Sequence, residues 1–255
     1  MMPATTVGRL SLRILLRDPF LRLMAFLPFV VALVFRVGAP AADAALAEVI
    51  DPAAFRLSEY YPVISAFLLQ LPGLFAGGVT GFSILEDRDE GILSAMAVTP
   101  IGRAGYLTSR LLFPALLAVA GALIVVPLAG LHRPDPLALL LAAAAAAPLA
   151  PVSALLLATL ATDKVEGLAV WKLVGFLFVG PLVLVLPPAA RPAGWPLASY
   201  WATRVYLSGP AGEAAAQAAQ PVRAAQAAQA AGFAVLALLC AALYLLPVTR
   251  RLRRL

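Results

Sequence analysis

Four carboxylates stand within one short stretch of an otherwise apolar chain: Glu86, Asp87, Asp89 and Glu90. The sequence offers no arrangement of nucleophile, base and orienting group and no H-E-x-x-H motif, so these acids do not indicate a catalytic centre. The macrodipole favours negative charge at the start of a helix. We therefore expect the carboxylates to begin a short helix that forms a charged knob between two apolar segments.

The residues after the carboxylates complete this pattern. Gly91 is followed by an apolar face made of Ile92, Leu93 and Met96. Thr99 and the proline after it suit the cap and the first position of the next helix. The knob is therefore predicted to be compact and helical, and an ordinary solvated loop is the alternative that the residues leave open.

The hydropathy of the whole chain indicates which kind of helix lies on either side of the carboxylate stretch. Of 255 residues, 62% are hydrophobic and 13% are charged, and the mean hydropathy is +0.93. A soluble domain carries about 25% charged residues, whereas a bilayer accommodates about 20 apolar residues per helical span. The sequence predicts an all-α, polytopic membrane protein with six transmembrane helices. The predicted spans are Phe20–Val37, Pro62–Leu85, Ser109–Leu131, Pro136–Leu160, Leu168–Pro187 and Ala231–Val248.

The six spans leave room for one membrane domain over residues 1–255. Its predicted parts are an amphipathic cytoplasmic helix at 1–19, the six-helix domain at 20–248 and a basic tail at 249–255. Arg9, Arg13 and Arg17 recur at helical spacing among apolar residues, which is typical of a helix in the headgroup plane.

Two segments of the predicted domain depart from simple spans. Pro148 and Pro151 are expected to kink or break the fourth span. The segment 191–210 is long and aromatic, which favours short re-entrant helices on the outer side between spans five and six.

Positive charge sets the orientation of the chain. Thirteen of the 19 Lys and Arg residues fall at the N-terminus, in the loops on its side and in the C-terminal RRLRR, and six fall in the opposite loops. Basic residues concentrate on the cytoplasmic side of a membrane, so both termini are expected in the cytoplasm and the location is a bacterial inner membrane. The cations form no stripe with stacking aromatics, so membrane lipids rather than nucleic acid are the expected contacts.

The second span carries the residues most suited to helix packing. Gly73, Gly77 and Gly81 recur every four residues and leave one face without side chains, which favours close contact with another helix within or between subunits. Gln70 lies one turn earlier, near mid-membrane, where an unpaired amide costs several kcal/mol. It is expected to bond another helix, or alternatively to contact cargo in a central cavity.

Several motifs are absent from the sequence. No G-x-x-x-x-G-K-[ST] occurs, so the chain has no P-loop for ATP. Cys240 is the only cysteine and His132 has no second ligand nearby, which gives no basis for a disulfide or a metal site. The chain is therefore not expected to be an enzyme or to carry a cofactor or metal of its own.

The sequence resembles the ABC-2 type ABC transporter permeases. The resemblance is carried by acidic residues followed by E-G-I-L and V-T-P, by R-I-L-L-R-D-P before the first span, by the six-span layout and by the aromatic segment between the last two spans. It covers nearly the whole chain. Small drug-exporter permeases, including fluoroquinolone-type exporters, look most similar.

The resemblance implies a division of labour between subunits. Glu90, Gly91, Ile92, Leu93 and Met96 would belong to a coupling helix that docks on a separate ABC ATPase, with the other three carboxylates beside them. ATP and Mg²⁺ would be bound by that partner, and the N-terminal helix would be an interface helix. The permease would act with a second permease chain, as a homodimer or a heterodimer.

The function implied is that of a permease subunit of an ATP-driven exporter, which moves a hydrophobic or amphipathic substrate outward by alternating access. A stand-alone secondary transporter is the first alternative, and it would need ionisable groups at mid-membrane and broken helices. A non-transporting membrane scaffold or immunity protein is the second. Apolar spans are compatible with drugs, lipids, peptides or a carrier-linked glycan.

Overall fold

The computed structural model describes residues 19–92 and 102–208, together with 231, 232 and 235. Every regular element in these residues is helical, which confirms the all-α prediction for this part of the chain. The α-helices are α1 (Pro19–Ala47), α2 (Tyr61–Asp89), α3 (Gly102–Ala129), α4 (Pro136–Ala146), α5 (Leu149–Leu160), α6 (Lys164–Val174), the short α7 (Gly180–Val183) and α8 (Ala198–Ser208).

Helix α2 lies at the centre of the bundle. It packs against α3, α5, α1 and α8, and 78% of the residues in its most apolar stretch are buried. By contrast, only 22% of the residues in the most apolar stretch of α1 are buried. This helix therefore exposes apolar side chains such as Leu23, Val30 and Val34. A bilayer tolerates that exposure because lipid tails are as apolar as the side chains themselves.

Four helical stretches are long and apolar enough to cross a bilayer: Arg22–Ala47, Leu57–Asp89, Tyr106–Ala129 and Pro136–Leu160. They correspond to the first four predicted spans. Two of them run past the predicted ends: α1 continues to Ala47 with Pro40 inside it, and α2 continues to Asp89.

The fourth span is divided as its prolines predict. Asp135 caps α4 by accepting hydrogen bonds from the backbone N–H groups of Leu137 and Ala138, at 3.1 and 3.2 Å. Helix α4 ends at Ala146, and α5 begins after Pro148, which lacks the N–H needed to continue the α4 ladder.

The predicted fifth span, Leu168–Pro187, is wrong as a single continuous helix. Helix α6 gives way to a 3-10 turn at Gly175–Phe178, and the short α7 follows. Glycine and proline destabilise an α-helix at this point. The break brings the Gly180 backbone against α8, where its N–H donates to Ser199 Oγ at 3.1 Å.

The aromatic segment after α7 is also helical. A 3-10 helix covers Pro188–Gly194, and α8 then packs against α4, α7 and α2. The re-entrant character of this segment stays a prediction. The predicted N-terminal helix with Arg9, Arg13 and Arg17, the sixth span apart from residues 231, 232 and 235, and the basic tail lie outside the described residues.

Candidate functional site

The carboxylate stretch lies at the C-terminal end of α2, which corrects the prediction that it begins a helix. The run E-D-R-D contains no glycine or proline, so α2 continues through it and ends where Gly91 adopts a φ of 73°. The Gly91 N–H donates to the Arg88 carbonyl at 3.1 Å. Glycine adopts this left-handed conformation without steric cost and terminates the helix. Negative charge at a helix C-terminus opposes the macrodipole, so these acids need cations.

Asp87 finds its cation on α3. Its side chain is buried, and Oδ2 accepts a charge-assisted hydrogen bond from Arg110 Nη2 at 2.5 Å. The Tyr106 hydroxyl donates to the same oxygen, and Arg110 Nε donates to that hydroxyl at 3.1 Å. These three side chains form a closed triad between α2 and α3.

Glu86 and Arg88 connect the same end of α2 to the corner between α5 and α6. Glu86 Oε1 lies 2.5 Å from Lys164 Nζ at the start of α6. Arg88 donates to three carbonyls at the end of α5, those of Ala158 at 3.4 Å, Ala161 at 3.1 Å and Thr162 at 2.6 Å. A guanidinium suits this role because its fixed fork of donors reaches several acceptors at once.

The corner between α5 and α6 is further stabilised by local capping. Asp163 Oδ1 accepts from the Glu166 N–H at 2.8 Å, and Glu166 Oε2 accepts from the Thr162 hydroxyl at 2.5 Å and backbone N–H at 2.8 Å. The hydrogen bonds donated by Thr162 lower the pKa of Glu166. Glu166 therefore stays ionised and holds the chain reversal that Arg88 contacts.

The four carboxylates among the predicted docking residues fall into two groups. Asp87 is buried and Glu86 is half-buried, and both face cations of the same chain, whereas Asp89 and Glu90 are exposed. Gly91 and Ile92 follow them at the surface with intermediate exposure. Leu93 and Met96 lie outside the described residues. Their shared role in docking stays a prediction.

The glycines of α2 face two different neighbours. A Cβ added at Gly77 would lie 2.5 Å from the Ala150 carbonyl oxygen, and one at Gly81 would lie 2.5 Å from Leu157 Cδ2, so both glycines press directly on α5. Gly73 has ordinary space instead, because its nearest neighbour would be 3.5 Å away. Close approach at two glycines lets backbone pack on backbone, which drives helix association in lipid.

Gln70 joins α2 to α8. It is 1% exposed, and Nε2 lies within hydrogen-bonding distance of Ser199 O at 3.2 Å and Thr203 Oγ1 at 3.0 Å. Its Oε1 is buried without a hydrogen-bond partner in the described part of the chain. Gln70 thus makes the expected contact with another helix, and contact with cargo, the alternative for this residue, stays a prediction.

Sequence reasoning missed the side chains that pair with the carboxylates. Arg110, Tyr106 and Lys164 are distant from α2 in sequence, and only a helical projection of α3 puts Tyr106 and Arg110 one turn apart on a common face. His132, for which no metal role was expected, packs edge-on against the ring of Tyr206 with centroids 5.6 Å apart.

These helices, with four candidate spans and buried polar ties between them, define a multi-pass α-helical membrane protein. The family described as "Fluoroquinolones export permease protein Rv2686c-like" matches residues 11–246, and the chain belongs to that family. The resemblance to small drug-exporter permeases is thereby confirmed.

Two relatives carry the same description. The chain is 28% identical over 206 residues to the fluoroquinolones export permease protein Rv2686c of Mycobacterium tuberculosis strain H37Rv. It is equally similar to the fluoroquinolones export permease protein MT2760 of strain CDC 1551. Each match covers 78% of this chain and 79% of the relative.

Proposed function

We propose that this chain is the permease subunit of an ATP-driven exporter of the ABC-2 type. It moves a hydrophobic or amphipathic substrate outward across the inner membrane, with both of its termini in the cytoplasm. A separate ABC ATPase binds ATP and Mg²⁺ and supplies the energy. Two permease chains, identical or different, form the transport path, and their first helices and re-entrant segments contact lipid and each other.

The observation that carries this proposal is the way the end of α2 is tied to its neighbours. Asp87 joins it to α3, Arg88 to α5 and Glu86 to α6, all within one helical turn. A displacement applied there reaches four helices together. A surface that receives motion from a motor subunit must be rigid in this way. A solvated loop would lack these contacts and could not pass the motion on.

The exposed part of the same turn supplies a surface for that motor. Asp89 and Glu90 project from it, and Ile92 adds an apolar contact after the Gly91 turn. Exposed carboxylates steer association with a basic partner surface, and an apolar neighbour adds buried area. Docking therefore uses Asp89, Glu90, Gly91 and the apolar face with Leu93 and Met96, while Glu86 and Asp87 transmit the motion.

Transport also requires that cargo distinguishes two conformations, since a ligand with equal affinity for both shifts neither. The family's described cargo, fluoroquinolones, is amphipathic and aromatic, and we propose cargo of that chemical class for this chain. Helix rocking that separates α3 from α2 would have to break the Asp87–Arg110 pair. We infer that the helices joined by this pair move as one body.

Inverted membrane vesicles test the proposal. In them, outward export becomes accumulation of a fluorescent fluoroquinolone such as norfloxacin inside the vesicle. We expect accumulation only when the chain is expressed with its partner ATPase, and only with hydrolysable ATP. Accumulation by the chain alone, without ATP, would overturn the proposal.

Proton-coupled transport by this chain alone is the second candidate, and Asp87 is the observation in its favour. A buried carboxylate bonded to a tyrosine and an arginine is a group that proton-driven transporters use. Its place at the end of α2 rather than at mid-membrane favours the ATP-driven function. Proteoliposomes that contain only this chain distinguish the two, since a pH gradient drives uptake only in the second case.

A further inference from the structure

A cavity of about 260 Å³ lies between α1, α2 and α3, away from the contacts of Gln70 and of the glycines with α5. Four phenylalanine rings line it: Phe26, Phe29, Phe75 and Phe113. Aromatic faces and edges bind flat apolar groups by stacking and edge contacts. The volume is slightly below the range of about 300 to 1,000 Å³ for pockets that hold drug-sized molecules, and the cavity is open on one side.

One end of the cavity is polar. Thr80 and Ser83 line it, and both residues are more than nine-tenths buried. Neither hydroxyl takes part in a hydrogen bond among residues 19–92 and 102–208, and neither oxygen is among the fully buried atoms that lack a partner. Two hydroxyls that line one cavity and have no partner among these residues can both donate to an acceptor group of a ligand.

Arg110 adds further N–H donors at the same end. Its Nε and Nη2 contact Tyr106 and Asp87, while Nη1 has no hydrogen-bond partner within the described ranges. A guanidinium can bind a second acceptor through its remaining N–H groups. The ion pair therefore holds the arginine in place and leaves donors for a ligand.

The cavity opens on the outer face of the bundle. Phe26, Leu117 and Ile124 line it and are 59%, 40% and 54% exposed. These apolar side chains surround an opening between α1 and α3. The opening lies on the exposed apolar surface of these two helices, which a bilayer would cover. A ligand dissolved in the membrane could enter without crossing a polar barrier.

We propose that this cavity binds an amphipathic molecule with a flat aromatic body and a carboxylate or carbonyl head. The body lies among the four phenylalanine rings, and the head accepts hydrogen bonds from Thr80, Ser83 and Arg110. The claim that exported cargo enters through this site rests on the proposed export function. The claim that the site binds such a molecule does not depend on export. An anionic phospholipid shares part of this chemistry, and the four rings favour the aromatic ligand.

Equilibrium binding to the full chain in phosphatidylcholine nanodiscs tests the site without any ATPase. The probe is norfloxacin, followed by its own fluorescence anisotropy, with its methyl ester as the counterpart that lacks the carboxylate. The double variant Thr80→Val/Ser83→Ala should weaken binding of the acid by about thirtyfold, because it removes two hydrogen bonds worth about 1 kcal/mol each. Binding of the ester should change less.

A second variant blocks the cavity by steric means. Ala120 lines the cavity at an exposed position, so Ala120→Phe adds a ring with little effect on folding, and binding should weaken by about tenfold or more. Two matched controls should bind as the unaltered chain does. Ala144→Phe changes an exposed alanine of α4, and Thr159→Val removes a hydroxyl that already donates to the Leu155 carbonyl at 2.7 Å.

The outcomes separate this site from the export function. Unchanged norfloxacin affinity in both cavity variants overturns the site even if ATP-driven export is found. A cavity that instead retains anionic phospholipid after purification, with no norfloxacin bound after delipidation, also overturns it. Specific binding lost in both variants supports the site even if no ATP-dependent transport is detected.

Discussion

Asp87 of α2 and Arg110 of α3 form a buried ion pair in which Oδ2 and Nη2 lie 2.5 Å apart. The pair stands at the point where two adjacent spans meet, and Tyr106 closes it on one side. Burying a charge away from water is costly unless an opposite charge lies beside it. Separating Asp87 from Arg110 is therefore unfavourable, and the pair fixes the relative position of α2 and α3 at this end.

Replacing Asp87 with Asn should therefore be costly. The Arg110 charge would lose its partner, and we expect the free energy of unfolding to fall by about 3 kcal/mol, the lower end of the range for breaking a buried pair. The measurement is unfolding in mixed micelles with increasing SDS, followed by circular dichroism. Asp89→Asn is the matched control on the exposed side of the same turn, with an expected change within about 0.5 kcal/mol. Equal effects of the two variants would contradict the structural role of the pair.

Arg88→Lys should loosen the corner between α5 and α6. An ammonium is a compact point charge and cannot reach three carbonyls as the guanidinium does. We expect faster amide hydrogen exchange at residues 158–166, by about tenfold for a loss near 1.4 kcal/mol, with little change elsewhere in α2. Arg133→Lys, at an exposed arginine, should leave the exchange pattern unaltered. Unchanged exchange at the corner in Arg88→Lys would show that the three hydrogen bonds carry no stability.

The glycines of α2 offer an internal comparison. Gly77→Ala places a Cβ 2.5 Å from the Ala150 carbonyl oxygen, so α2 and α5 must separate, and we expect a loss of about 1 to 3 kcal/mol. Gly73→Ala meets Ala118 Cβ at 3.5 Å, which is ordinary contact, and should cost less than about 0.5 kcal/mol. Thermal unfolding of the two variants in the same detergent decides between them. A larger loss at Gly73 than at Gly77 would mean that α5 does not lie where the structure has it.

Gln70 and Thr203 should be energetically coupled. Their side chains lie 3.0 Å apart across α2 and α8. A double-mutant cycle of Gln70→Leu and Thr203→Val should give an interaction energy of about 0.6 kcal/mol, up to about 1.7, as for other hydrogen bonds between membrane helices. SDS unfolding of the four proteins provides the measurement. Purely additive losses would exclude a direct bond between these side chains.

The outline of the fold could be predicted from sequence because it depends on local quantities. Hydropathy located four spans that the structure has, and Pro148 marked the break between α4 and α5. The end of α2 was misplaced because acidic residues were assigned to a new helix. The stronger signal was Gly91, the first residue after the run that readily takes a positive φ.

The contacts of the site depend on pairings between distant residues, which composition does not encode. Glycine spacing indicated a contact face, but nothing in the sequence named α5 as the helix on which Gly77 packs. In the same way, a buried Asp87 requires a cationic partner, but the sequence does not show that this partner is Arg110. The fifth span failed for a different reason, since average hydropathy does not register the helix break that Gly175 and Gly180 introduce.

The central claim is that an ATPase docks on the exposed end of α2. Its most direct measurement is the recovery of a tagged ATPase with solubilised Glu90→Lys permease, normalised to permease yield. Glu59→Lys, an exposed acid before the other end of α2, is the control. A cation opposite a basic partner surface costs several kcal/mol, so we expect at least about tenfold less ATPase with Glu90→Lys and normal recovery with Glu59→Lys. Full recovery of the ATPase with Glu90→Lys, at unchanged permease yield, would contradict the claim.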